Sequence, residues 1–220
     1  MNVLALVGTK RKKGLTASLC NKILEGAEES GHDTEIIFLY EHRIEFCTGC
    51  WACAKEGQCV INDDFAGLYS KVKAADVIIL GTPCYWGNVT AVMKAFFDRH
   101  TGFAMYNPPG ADNFHTLTTG GKIKTLLKEK SNFGPLPDLK GKGFIFVVTM
   151  TDPALLAYTS GDLRGTVNAL KTYMHNLKGK LLGKLVFTDT LFRFLKNKQK
   201  KMLDKAYRLG RDLKVLGGKR

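Results

Sequence analysis

The chain has 220 residues, enough for one domain with a full core. Its 45% apolar content excludes a disordered chain, and no apolar run approaches the roughly 20 residues of a membrane span. The formal charge is +13, and residues 191–220 hold 11 Lys/Arg against two Asp. Such a stripe suits an anionic surface or an acidic partner, but no nucleic-acid motif accompanies it, so the simplest reading is the solvated face of a terminal helix. Residues 1–7 are apolar and 10–13 basic, the reverse of a secretory signal, so a cytosolic protein is expected.

Residues 2–8 (NVLALVG) form a short buried-strand pattern, and 10–14 a basic loop closed by Gly14. Residues 15–31 carry Leu15, Leu19, Ile23 and Leu24 near helical spacing, with Gly31 as the stop. Residues 34–40 (TEIIFLY) read as a second strand, apolar throughout, as parallel strands covered on both faces tend to be. A cysteine-rich loop follows. Asp63 and Asp64 suit the first turn of a helix that reaches about residue 74. Residues 76–81 (DVIILG) predict a third strand, 82–88 a loop and 89–99 a helix. Residues 100–140 are rich in Gly, Pro and Asn and read as an insertion holding a short helix over 123–129. A fourth strand over 143–150, a helix over 163–177 and a short fifth strand over 184–188 follow. The last helix starts at 192 and runs to about 216, with Leu195, Met202, Ala206, Leu209 and Leu213 near one face.

Five strand–helix alternations predict an α/β fold: a doubly wound, five-stranded parallel sheet in the flavodoxin-like order 2-1-3-4-5. Residues 1–220 are expected to form a single domain with the insertion between helix 3 and strand 4. Ligands of such sheets bind at the carboxyl ends of the strands, beside the switch point between strands 1 and 3.

Two loops fall at that point. After strand 1 the sequence is Gly8-Thr9-Lys-Arg11-Lys-Lys-Gly14-Leu-Thr16-Ala-Ser18. Hydroxyls and cations here open a helix whose free N–H groups and dipole favour an anion such as a phosphate monoester. It is neither a Walker A nor a G-x-G-x-x-G motif; taken alone, it equally describes a solvated basic loop. After strand 3, Pro83 and Gly87 bracket Tyr85 and Trp86, with Asn88 next. Aromatics on a rigid loop can stack on a planar ring, or simply cap the sheet. The two loops together favour a flat, phosphorylated ligand, of which FMN is the economical choice.

Cys47, Cys50, Cys53 and Cys59 form a C-x2-C-x2-C-x5-C run. Thiolates at this spacing can converge on a 4Fe–4S cluster, with Gly57 providing the turn that returns Cys59. Ordinary thiols, zinc or a redox disulfide remain open readings of the same residues. Cys20 and Cys84 read as packed thiols, and the five histidines as surface or loop residues.

The three segments resemble the NAD(P)H-dependent FMN reductase superfamily, and within it the iron–sulfur flavoprotein group. The family's phosphate loop, similar to G-S-P-R-K-x-G-N-T, is matched at Gly8, Arg11, Lys12, Gly14 and Thr16. Its second loop is matched at Pro83, Tyr85, Trp86, Gly87 and Asn88, and its following K-x-x-x-D-R at Lys94, Asp98 and Arg99. Lys10 and Leu15 depart from the usual Pro and Asn, and 149–154 (TMTDPA) departs from a Gly-Gly-rich third loop. The resemblance implies an oxidoreductase in which FMN exchanges electrons with NAD(P)H or a protein donor, and with a cluster. It needs no catalytic side chain. Thr9, Arg11, Gly14 and Thr16 would hold the phosphate, and Tyr85, Trp86, Gly87 and Asn88 would flank the ring. The resemblance also implies a homodimer or tetramer. The basic C-terminal face suggests an acidic carrier such as ferredoxin. A cluster-free FMN or quinone reductase is the alternative, and a non-enzymatic redox- or metal-sensing module a second one.

Overall fold

A computed structural model describes residues 1–105, 135–190 and 196–213. The elements run β1 (Asn2–Val7), α1 (Leu15–Glu29), β2 (Asp33–Phe38), α2 (Ala52–Glu56), α3 (Phe65–Ala74), β3 (Val77–Pro83), α4 (Ala91–Asp98), α5 (Thr101–Ala104), β4 (Gly143–Thr149), α6 (Ala154–Thr159), α7 (Asp162–Asn176), β5 (Lys180–Phe187) and α8 (Lys196–Arg211). The strands form one parallel sheet in the order β2-β1-β3-β4-β5, as the alternation of elements predicted.

The apolar strand sequences conceal a period of two. Leu4, Leu6, Ile78, Leu80, Phe144, Phe146 and Val148 point to one face, where Phe65 and Leu68 of α3, Phe96 of α4 and Leu170 of α7 cover them. Val3, Ala5, Val7, Ile79, Ile145 and Val147 point to the other, under Leu19 and Ile23 of α1 and Ala206 of α8. Because both faces are covered, neither set of alternate positions is polar, and the strands read as unbroken apolar runs.

The edges differ from expectation. In β2 only Ile37 is buried, because β2 is an edge strand with one side open. β5 begins at Lys180, well before the expected 184, since its exposed Lys180 and Leu181 carry no buried-strand signal yet still pair beside Gly143 and Phe144. The short helices α2, α5 and α6 went unpredicted, being too brief to show a helical period. The expected helix over 123–129 and the position of Leu195 lie outside the described residues.

α1 and α8 cross almost backbone to backbone. A Cβ at Gly26 would overlap the Tyr207 carbonyl oxygen, and one at Gly210 would overlap that of Ile23. The Ser30 hydroxyl donates to the Arg211 carbonyl at 2.7 Å. Ala206 and Leu213 are buried, whereas Lys200, Lys201, Lys205 and Arg208 stay exposed on the outer face. Gly210→Ala therefore forces two helices apart, and we expect it to lower the unfolding free energy in a urea titration by about 2 kcal/mol.

Two histidines correct the surface reading. His32 and His100 are buried. His100 sits among Phe65, Phe96 and Tyr173, at ring distances of 5.0, 4.6 and 5.3 Å, with Nδ1 2.8 Å from the Phe96 carbonyl. Burial, aided by the charge of Arg99 and opposed by that carbonyl, pushes its pKa down to about 4. The unfolded chain binds this proton below about 6.5 and the folded chain does not, so stability falls as pH drops through that window. His100→Gln should lose roughly 2 kcal/mol less than the parent between pH 7 and pH 4.5 in urea titrations.

Candidate functional site

Parallel pairing brings the loops after β1, β3 and β4 to one level. The Gly8 amide donates to the Gly81 carbonyl at 2.8 Å, and the Cys84 amide to the Thr149 carbonyl at 2.8 Å. Between these loops lies a cleft of about 520 Å³ lined by Thr9, Arg11, Gly14, Thr16, Pro83 and Tyr85 among others. A volume of this order suits a cofactor-sized ligand.

The β1–α1 loop forms the electropositive end of the cleft. Gly14 precedes α1 in extended conformation, and the Ser18 amide is the first to bond back, to the Gly14 carbonyl. The amides of Leu15, Thr16 and Ala17 are thus unused at the positive end of a 15-residue helix that has no acidic residue in its first turn. Thr9 and Thr16 are buried. The Thr9 hydroxyl accepts from the Arg11 amide at 3.2 Å, which shapes the loop, and Thr16 shares a 2.7 Å hydrogen bond with Thr149. Arg11 and Lys13 supply cations to the cleft, while Lys12 turns away to Glu41.

The β3–α4 loop forms the other end. Tyr85 and Asn88 exchange both backbone hydrogen bonds at 3.0 Å, closing a tight two-residue turn. Its central residues, Trp86 and Gly87, have φ values of 50° and 66°. Such a turn requires positive φ at both positions, which glycine adopts freely and tryptophan only under strain. Helix α7 supports it: a Cβ at Gly165 would overlap the Gly87 carbonyl oxygen. The Trp86 side chain is fully exposed and that of Tyr85 about half so. A second hollow of about 400 Å³ is lined by Cys84, Tyr85, Trp86, Gly87, Met150, Thr151, Asp152 and Asp162, so it shares four residues with the first. Asn88 lines neither; its side chain accepts from the Val89 amide at 2.8 Å and holds the turn. Burial pushes the Cys84 thiol up, against the Thr166 hydroxyl that donates to it at 3.0 Å.

Several lining residues had no sequence signal. Thr149, Met150 and Thr151, in the segment that departs from a Gly-Gly-rich loop, nonetheless line the cleft. Gln199 and Leu203 reach it from α8, nearly two hundred residues from the β1 loop.

The cysteine segment follows β2 and carries its own tight turns. Trp51 has φ 63° before α2, and Gly57 has φ 69° after it, the turn expected ahead of Cys59. Cys47 and Cys50 are exposed, Cys53 and Cys59 half-buried. Burial pushes the Cys53 thiol up, and the charges of the Cys59, Cys47 and Cys50 thiols add to the rise. The Ala52 amide and the Thr48 hydroxyl hold the Cys50 thiol below its usual value, favouring the thiolate that metals bind. The Cys53 sulfur packs where a Cβ on Gly102 would stand. Among the described residues, no three His, Cys, Asp or Glu side chains converge on a common metal position. The donor chemistry, four thiols from one 13-residue segment, fits an iron–sulfur cluster.

Arg99 anchors this segment. Its guanidinium donates to both oxygens of Asp63, at 2.6 and 3.0 Å, to the Glu45 carbonyl at 3.0 Å and to the Cys59 sulfur at 3.3 Å. It also lies 4.6 Å from the Phe65 ring centre. Burial pushes the Asp63 carboxyl up, but Arg99 and the Glu45 and Phe65 amides outweigh it and hold the group below the usual carboxylate range.

Comparison with known proteins agrees with this geometry. The family model described as NADPH-dependent FMN reductase matches residues 1–124, more than half of the chain. An iron-sulfur flavoprotein of Methanocaldococcus jannaschii is 35% identical over 137 residues, covering 60% of this chain and 71% of that protein. One from Methanosarcina thermophila is 36% identical over 132 residues, covering 57% and 69%. Among solved structures, an NAD(P)H:quinone oxidoreductase from Methanothermobacter marburgensis superposes with a TM-score of 0.69 at 18% identity, covering 97% of this chain and 96% of that one. A flavone reductase gives 0.64 at 22% identity; this chain spans 63% of its length. At such identities the structures show the fold alone. No helix among the described residues is long and apolar enough to cross a membrane. The chain belongs to the NADPH-dependent FMN reductase family, in its iron-sulfur flavoprotein group, and is a flavin-dependent oxidoreductase.

Proposed function

We propose that this protein is an electron-transfer flavoprotein that takes reducing equivalents from a nicotinamide or protein donor and releases them one at a time through a 4Fe–4S cluster. The observation that carries the reading is the cleft, where the phosphate-loop residues and the aromatic turn line adjoining hollows at the switch point. Thr9, Arg11, Gly14 and Thr16 bind the FMN phosphate, with the free amides of α1 and the cation of Arg11 balancing its charge. Pro83 and Gly87 fix the turn, Tyr85 and Trp86 cover the ring and shield it from water, and Asn88 keeps the turn closed. Cys47, Cys50, Cys53 and Cys59 hold the iron. When bound, the flavin supplies both two-electron and one-electron chemistry, and the cluster one-electron transfer. The exposed cations of α8 form a docking face for an acidic carrier such as a ferredoxin. The exposed Trp86 and Leu155 suit burial in a homodimer or tetramer.

Anaerobic purification followed by absorption spectroscopy and assays of iron and acid-labile sulfide tests this reading. Flavin bands with about four irons per chain are expected. Flavin without iron would reduce the protein to a simple FMN reductase, and neither chromophore would overturn the whole reading. Cys50→Ser should lose most of the iron and keep the flavin; unchanged iron would remove Cys50 from the ligand set. Trp86→Gly relieves a strained φ, so it should raise the unfolding free energy by about 1 kcal/mol. The same change should weaken FMN binding about fivefold in a fluorescence titration, through loss of one aromatic contact.

A further inference from the structure

The Arg99 side chain is wholly buried, as is that of Asp63. One ion pair accounts for the charge, and the carbonyl of Glu45 for one further N–H. The remaining contact of the guanidinium is with sulfur: Nη2 stands 3.3 Å from Cys59 Sγ. A neutral thiol is a weak acceptor, a poor use of a desolvated cation. A thiolate bound to iron carries negative charge and accepts much more strongly. Asp63 is itself fixed by the Glu45 amide at 2.8 Å and the Phe65 amide at 3.1 Å, so the guanidinium is held against movement from the carboxylate side. The Phe65 ring confines it from another side.

We propose that Arg99 is a positioning residue for the metal centre: it donates to the sulfur of the Cys59 ligand and thereby favours the reduced, more negative state of the cluster. The inference rests on the cluster reading above and assigns to this helix-end arginine a role beyond holding the fold. The direction follows from electrostatics. A cluster gains one electron on reduction, and a fixed positive charge with an N–H aimed at a ligand sulfur stabilises the added charge. Removing the donor should therefore lower the midpoint potential. The donors to Cys50, the Ala52 amide and the Thr48 hydroxyl, are neutral, so the charged donor at Cys59 differs in kind.

The test compares the purified, iron-loaded protein with two variants in an anaerobic dithionite titration followed by electron paramagnetic resonance. Arg99→Lys keeps a charge and loses the fork. The double change Asp63→Asn with Arg99→Met removes both partners together and leaves no unpaired buried charge, so it protects the fold if the single variant does not fold. We expect the double variant to keep its iron and sulfide. At a fixed potential, its ratio of reduced to oxidised cluster should fall about tenfold, which for one electron corresponds to about 59 mV. Arg99→Lys should fall in between. An iron-loaded double variant with an unchanged potential would overturn the proposal while leaving the cluster reading intact. Folded variants that lose their iron would make the contact a scaffold only, and would overturn it too. A parent protein without iron would overturn the cluster reading itself, and the proposal with it.

Discussion

The parallel pairing of β1 with β3 is the constraint on which the site depends. β2 lies on one side of β1 and β3 on the other, so the connections leaving β1 and β3 diverge to opposite faces of the sheet and leave a crevice between them. The hydrogen bond from Gly8 to Gly81 sets the two loops at the same height. Everything that can meet a ligand in the cleft, from the free amides of α1 to the turn at Trp86, takes its position from that register. The buried strands on which it rests, with Ala5, Leu6, Ile79 and Leu80 fully enclosed, make the register hard to shift.

Among the described residues, four that are not glycine have positive φ: Trp51, Trp86 and Asp189 lie in loops leaving the carboxyl end of a strand, and Lys178 lies in the turn between α7 and β5. Such conformations persist only where surrounding structure enforces them. At Trp86 the enforcement is visible: the paired backbone bonds of Tyr85 and Asn88 close the turn, and Gly165 of α7 lets the helix press against it. Rigid presentation of an exposed aromatic costs conformational energy, and that cost is recovered only when a ring or a partner covers it.

The Arg99–Asp63 pair performs a similar task for the cysteine segment. It ties the end of α4 to the start of α3 and to the Glu45 backbone, and so fixes the Cys59 side of a loop whose Cys47 side remains open to solvent. A buried pair of this kind adds little net stability over apolar packing but strongly opposes the loss of one partner. Its use here fits a loop in which one end is held firm while the other stays open.

The order of strands, the helices that flank them and the identities in the two cleft loops were legible in the sequence, because each depends on local pattern. Apolar runs mark strands covered on both faces, and Gly31 marks a helix end, its amide bonding back to Glu28 at 2.8 Å. Short or half-exposed elements such as α5 and the start of β5 lacked that pattern. Burial of His100 was invisible because its neighbours Phe65 and Tyr173 come from two other helices. The same holds for Thr149 meeting Thr16, for Gln199 reaching the cleft, and for Arg99 finding both Asp63 and Cys59. The amino-acid sequence by itself determined the α/β class, the sheet order and the chemistry available at each loop. The tertiary structure alone decided which distant side chains meet, since those contacts follow from how helices pack on a common sheet and leave no periodic trace along the chain.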